Sequence, residues 1–192
     1  HGTRKGKPYS TLRLRSGACV GLPTCRLSYT DSEQFEPELI DQLDAMGYGD
    51  VAESIGITGC ERQCFRPGTK TLGFIGQGPN LYSLKLGGSE DARTQGFWVT
   101  DAGLWYLRQV KRDQVATLCA TLFDHYKASA RPGETMGAFH NRVGTPTIVA
   151  MLKADPRTAP LMEKTLPAPF QLDATAGMPL PILTPAPALA GV

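Results

Sequence analysis

The sequence predicts an α+β domain in which a mixed sheet carries helices on its faces. Three features lead there. Two segments, Phe35 to Met46 and Val115 to Tyr126, repeat apolar residues at helical spacing. Several short runs rich in Leu, Ile, Phe and Tyr are punctuated by Gly and Pro, which is strand-and-turn chemistry. With 192 residues, 41% hydrophobic and 20% charged, the chain can bury one ordinary core and folds as a single soluble domain with appendages.

The elements follow in chain order. Residues 1–10 read as a basic N-terminal arm. The chain opens at His1 rather than Met and runs straight into Thr3-Arg4-Lys5-Gly6-Lys7, so it is expected to be a piece of a longer protein and the arm a cut end. Five of the first fifteen residues are basic (Arg4, Lys5, Lys7, Arg13 and Arg15), yet the formal net charge is only +2. A solvated arm accounts for them better than a nucleic-acid contact, which would bring an aromatic stacking pattern; an anionic cofactor is a third reading. A domain spans 11–150. Leu12, Leu14 and Ala18 alternate with Arg13 and Arg15, predicting a strand over 11–20 that ends at Cys19. Thr30-Asp31-Ser32-Glu33 supplies capping side chains for a helix through Phe35, Leu39, Ile40, Leu43 and Met46, stopped by Gly47 and Gly49, with Pro37 near its start. A strand from Val51 to Thr58 delivers Cys60, and Pro67-Gly68 turns the chain after Cys64.

Thr71 to Ile75 and Leu81 to Leu86 form a hairpin around Gly76, Gly78 and Pro79. That hairpin is a better account of Gly76-x-Gly78 than a phosphate loop, which needs a third glycine and a following helix. Phe97 to Val99 and Trp105 to Val110 add edge strands, with Trp98 and Trp105 packing the core edge. In the helix that follows, Val115, Leu118, Cys119, Leu122, Phe123 and Tyr126 share one apolar stripe, so Cys119 reads as a buried apolar cysteine. Residues 151–166 extend the domain as helix. From 167 to 192 the chain is Pro- and Ala-rich, with six prolines and Asp173 as its one charge, and is expected to be extended and mobile.

No apolar stretch reaches the ~20 residues of a membrane span, and no secretory signal opens the chain, so a cytoplasmic location is expected. Five cysteines in that setting argue for metal or redox chemistry over disulfides. Cys19 and Cys25 enclose five residues, Cys60 and Cys64 enclose three, and 34 separate the pairs. Four thiolates suit a soft metal centre. The wide first gap weakens zinc, whose paired ligands sit closer, and leaves an iron–sulfur cluster modestly favoured. Unlike Cys119, these four lie in Gly-, Pro- or Thr-rich loops, whose free backbone N–H groups suit cluster sulfurs. His125 and His140 have no spaced partner and read as surface or structural histidines rather than ligands or bases.

These residues also carry a family likeness. Ala18-Cys19-Val20-Gly21-Leu22-Pro23-Thr24-Cys25, then Thr58-Gly59-Cys60 with Cys64 and Arg66, resembles the C-terminal half of assimilatory sulfite reductase haemoproteins. The likeness continues through Gly73-Phe74-Ile75-Gly76 and Leu81-Tyr82-x-Leu84-x-Leu86-Gly87-Gly88, with a weaker echo at Gly133-Glu134-x-x-Gly137-x-Phe139-x-x-Arg142. Ferredoxin-dependent nitrite reductases share the cysteine spacing but look less similar around Gly21 to Thr24.

The resemblance implies a nitrite/sulfite reductase 4Fe-4S domain, with a cluster on Cys19, Cys25, Cys60 and Cys64 joined to sirohaem through Cys64. It implies six-electron reduction of sulfite to sulfide (or reduction of nitrite), fed by a flavoprotein or ferredoxin donor. Arg66, with Arg62 beside it, is assigned to sirohaem carboxylates. No catalytic residue is expected within this chain, because the family's substrate-binding basic residues come largely from an upstream half. One departure stands out: the family writes Cys-Pro-Asn-x-Cys, where this chain has Cys60-Glu61-Arg62-Gln63-Cys64. The rival readings are a stand-alone iron–sulfur electron-transfer or redox-sensing domain and a zinc-stabilised binding domain.

Overall fold

The computed structural model describes residues 2–168. Its strands are β1 (Thr3–Arg4), β2 (Lys7–Pro8), β3 (Gly17–Ala18), β4 (Ile55–Thr58), β5 (Leu72–Gly78), β6 (Leu81–Leu86), β7 (Phe97–Trp98), β8 (Thr100–Asp101), β9 (Leu104–Trp105), β10 (Val110–Lys111) and β11 (Leu166–Pro167). Its helices are α1 (Thr11–Arg15), α2 (Ser32–Ala45), α3 (Arg112–Ser129) and α4 (Met136–Ala154). The central sheet runs β10-β6-β5-β4-β3, with β7 also paired to β6. Strands β3, β4 and β5 are parallel, while β6 is antiparallel to β5, β7 and β10. The sheet is therefore mixed and flanked by helices, as the sequence predicts.

One face of this sheet is the core. Ile55 and Ile57 of β4, Leu72 and Phe74 of β5, and Tyr82, Leu84 and Leu86 of β6 alternate into it. They meet Phe35, Leu39, Ile40 and Leu43 of α2 and Val115, Leu118, Leu122 and Phe123 of α3. Helical spacing on two helices and period-two spacing on three strands thus fill the same volume. Cys119 is buried on the α3 stripe, and burial pushes its thiol well above the usual range.

The other face carries a row of glycines across three of its strands. Register aligns Gly17 of β3 with Gly56 of β4, Gly56 with Gly73 of β5, Gly73 with Lys85 of β6 and Lys85 with Trp98 of β7. Without side chains on three adjacent strands, a chain segment can lie directly on the sheet. Phe65, Pro67 and Lys70 do so: a Cβ at Gly17 would meet the Phe65 ring, one at Gly56 the Lys70 stem, and one at Gly73 the Pro67 carbonyl. The glycine row therefore positions the segment that follows Cys64.

Four expectations are revised by the structure. Residues 11–15 form α1 rather than a strand, because the Ser10 hydroxyl accepts the Arg13 N–H and caps a helical turn before sheet pairing begins at Gly17. Pro37 lies inside α2, a turn beyond its start at Ser32, where its missing N–H leaves the Glu33 carbonyl without a helical donor. The 151–166 extension is α-helical only to Ala154 and ends in β11 rather than in helix. The basic N-terminus is mostly exposed, but Arg4, Lys5 and Arg13 are paired. Around the β1–β2 hairpin, Arg4 and Lys5 each reach Asp41 at 2.8 Å, and Arg13 reaches Asp41 at 2.6 Å and Asp44 at 3.3 Å. Hydrogen bonding to Arg4, then to Lys5, holds the Asp41 carboxyl far below its ordinary value.

The weaker sequence echo also has a physical basis. Gly137 lets α4 approach the Gly88 carbonyl, where a Cβ would stand only 2.6 Å away. From the next turn of α4, Asn141 donates to the Gly87 carbonyl at 2.7 Å. Glu134 pairs with Arg142 at 2.6 Å, which brings its pKa down to about 2, and the Arg142 guanidinium lies over the Phe139 ring. The Gly137 and Asn141 contacts hold α4 against the Gly87-Gly88 turn after β6. At the chain's far end, β11 pairs with β9, and the rest of the Pro/Ala-rich stretch lies outside the described residues.

Candidate iron–sulfur site

Cys19 follows β3 and Cys60 follows β4, so both cysteine loops leave the carboxyl ends of adjacent parallel strands, the usual location for ligands in such sheets. The loops are tied together. The Cys19 amide donates to the Ile57 carbonyl at 3.0 Å, and the Tyr29 amide donates to the Gly59 carbonyl at 2.8 Å. The Gly59 amide in turn donates to the Cys19 sulfur at 3.2 Å.

Within the first loop, Gly21 has φ +59 and packs against Thr30 and Ser32 backbone, so only glycine fits. The Cys25 amide closes a turn onto the Gly21 carbonyl at 2.7 Å. In the second loop, the Gln63 amide donates to the Cys60 carbonyl at 3.2 Å and the Arg66 amide to the Gln63 carbonyl at 2.8 Å. Both Gln63 (φ 53) and Arg66 (φ 46) adopt left-handed backbone. Two successive tight turns therefore follow Cys60, and the chain then drops onto the glycine row.

Cys60 is buried, Cys19 and Cys25 are half-buried, and Cys64 is exposed; all four are free thiols. Among the described residues, no three His, Cys, Asp or Glu side chains are gathered closely enough to hold a metal ion. The loops and the donor set nonetheless fit a thiolate-bound cluster: four thiols lie in two mutually bonded loops, and one sulfur already accepts a backbone N–H, as cluster sulfurs do.

Arg62 and Arg66 are exposed, with no hydrogen bond or ion pair from either guanidinium among the described residues. Lys70 instead pairs with Glu90 at 3.4 Å. Two cations missed at the sequence level lie against the Cys60–Cys64 loop. Lys85 reaches the Gln63 side-chain oxygen at 3.3 Å, and Arg108 reaches Glu61 at 3.5 Å. Burial lowers the Lys85 pKa. The only hint of Lys85 in the sequence was its place between Leu84 and Leu86, where strand alternation turns it to the face opposite the core.

Neither histidine enters the site. His125 stands 3.5 Å from Asp155. His140 is buried, so it is a structural rather than a surface histidine, and its Nδ1 has no hydrogen-bond partner among the described residues. Burial brings its pKa down to about 3. Among the described residues, no helix is long and apolar enough to cross a membrane.

No family model matches the chain. The beta subunit of NADPH sulfite reductase from Saccharomyces cerevisiae is 37% identical over 140 residues, which is 71% of this chain and 9% of that protein. Haemoprotein beta-components of NADPH sulfite reductase from Shewanella oneidensis (34%, 72% of this chain, 24% of that protein) and Nitrobacter hamburgensis (35%, 70% and 23%) are similar. The chain thus spans a quarter or less of the length of the curated relatives it matches. In three dimensions it is similar to the Mycobacterium tuberculosis NirA protein, with a TM-score of 0.55 and 23% identity over 72% of this chain and 27% of that one. That likeness bears on the fold. The 31–37% identity to sulfite reductase beta-components, over about 70–74% of this chain, makes it a homologue of one part of those longer proteins.

Proposed function

We propose that this chain is the part of a cytoplasmic sulfite reductase haemoprotein that holds a 4Fe-4S cluster on Cys19, Cys25, Cys60 and Cys64 and meets sirohaem through Cys64. The observation that carries the reading is the joining of the two cysteine loops at the ends of β3 and β4, with the Gly59 N–H on the Cys19 sulfur. Such N–H contacts to sulfur stabilise a negative cluster and tune its potential.

When bound, the cluster and sirohaem supply the electron storage and bond-breaking that a six-electron reduction of sulfite needs. The chain's own residues do the holding. Cys19, Cys25 and Cys60 lie at or below the surface, where they can keep water from a cluster. Cys64 is exposed, as a thiolate shared with a group beyond the loop must be. Arg62 and Arg66 flank it with guanidinium donors that nothing else among the described residues occupies, which suits a macrocycle rich in carboxylates. Substrate, the upstream half that would bind it, and the flavoprotein or ferredoxin donor all belong to this proposal.

Anaerobic reconstitution tests it. The chain is expected to turn brown and take up about four iron and four sulfide. Cys64→Ser is expected to make the cluster labile and, in the full-length protein, to weaken its magnetic coupling to the haem; Cys19→Ser is expected to affect mainly the cluster. Stoichiometric zinc with no iron uptake would overturn the reading, and parental coupling in Cys64→Ser would overturn the bridging role.

A further inference from the structure

Lys85 and Arg108 each engage the Cys60–Cys64 loop while seated on an aromatic ring. The Lys85 ammonium lies 4.7 Å from the Trp98 ring centre, and the Arg108 guanidinium lies 4.8 Å from that of Trp105. The two indoles pack on each other with centres 4.7 Å apart. Each cation also holds one side of the loop: Lys85 the Gln63 side-chain oxygen, Arg108 the Glu61 carboxylate.

We propose that Lys85 and Arg108, mounted on the tilted, mutually packed Trp98–Trp105 pair, are positioning residues that clamp the Cys60–Cys64 loop at Gln63 and Glu61.

The geometry favours a clamp over two incidental surface pairs. Register sets Lys85 directly beside Trp98, so the lysine stem runs along a fixed ring rather than free in water. Trp105 is fixed likewise, opposite Thr100 in β8 and Leu166 in β11. Arg108 is largely covered, its side chain 22% exposed, whereas Glu61 is 66% exposed. The anchored partners are thus the cations, and the loop is what they restrain. The gripped residues alternate with Arg62, leaving it outward between them. An isolated exposed ion pair contributes little, but two points on one five-residue loop restrict it more than either alone. The role as a ligand-loop clamp rests on the cluster reading above; the clamp itself does not.

Site-resolved thiol labelling of the metal-free full chain tests it, with peptide mapping of Cys60 and with Cys119 as the control for global unfolding. Glu61→Ala with Gln63→Ala removes both gripped side chains at the loop and leaves the tryptophan platform intact. Lys85→Met with Arg108→Met removes both cations. Each pair is expected to speed Cys60 labelling several-fold while Cys119 keeps its parental rate; Lys85→Arg and Arg108→Lys are expected to restore protection. If the Lys85/Arg108 pair also exposes Cys119, the fold has been lost and the loop pair decides. A parental Cys60 rate in the Glu61/Gln63 variant overturns the clamp, whatever the metal content. Failure of the parental chain to take up iron, with Cys60 protection behaving as expected, counts against the cluster and not the clamp.

Discussion

Replacing His140 by leucine gives a perturbation whose size follows from one buried group. His140 is 1% exposed in α4, its Nδ1 has no partner among the described residues, and burial lowers its pKa from 6.5 to about 3. A histidine with a depressed folded pKa supports folding fully above the unfolded value of 6.5 and loses that support as pH falls, because the unfolded chain takes up the proton and the native chain does not. The slope is about 1.4 kcal/mol per pH unit over that window. Between pH 7 and pH 5 the parental chain should therefore lose about 2 kcal/mol at this residue alone. His140→Leu abolishes that loss and also removes an unpaired buried nitrogen, so at pH 7 it is expected to be near neutral. Urea unfolding of both proteins at pH 7 and pH 5 measures the difference, since carboxylate titrations are common to both. Equal losses of stability on acidification would show that His140 is reached by solvent, or is partnered, in the native state.

Three further outcomes are expected. Gly76→Ala would press a Cβ onto the Gly59 carbonyl, backbone against backbone, so urea unfolding should register a loss of about 1–3 kcal/mol, with lower iron uptake because Gly59 joins the two cysteine loops. Glu53 accepts the Thr71 hydroxyl at 2.7 Å and the Met136 N–H at the start of α4 at 2.8 Å. Glu53→Gln should cost about 1–3 kcal/mol in chemical unfolding, because a neutral amide replaces a charged acceptor of both bonds at a helix N-terminus. Cys119→Ala should leave reconstituted iron content unchanged while lowering the unfolding midpoint, since its sulfur packs in the α3 core; cluster loss in that variant would mean a ligand has been misassigned.

The four candidate thiols could be singled out in the sequence because a cysteine's surroundings are a property of residue type and spacing. The four loop cysteines stood apart from Cys119 by their neighbours, since glycine, proline and threonine punctuate turns while Leu118 and Leu122 continue a helical stripe. The hairpin of β5 and β6 and helices α2 and α3 were legible for the same reason: each buries one face, and the burial period is written along the chain. Short elements were not. Leu12 and Leu14 alternate as a strand would, but one capping bond from Ser10 tipped five residues into a helix, a difference too small for the apolar pattern to report.

By itself, the sequence determined the fold class, the core faces and which four thiols share a pair of loops, because those depend on local periodicity and composition. Tertiary structure alone decided what depends on register between distant strands. Gly17, Gly56 and Gly73 are unremarkable singly; side by side they make the shelf on which the segment after Cys64 lies. Lys85 became a neighbour of Gln63, and Arg4, Lys5 and Arg13 became partners of Asp41, only when folding brought them together. Contacts across tens of residues are set by how strands align and helices pack, and no window along the chain contains that alignment.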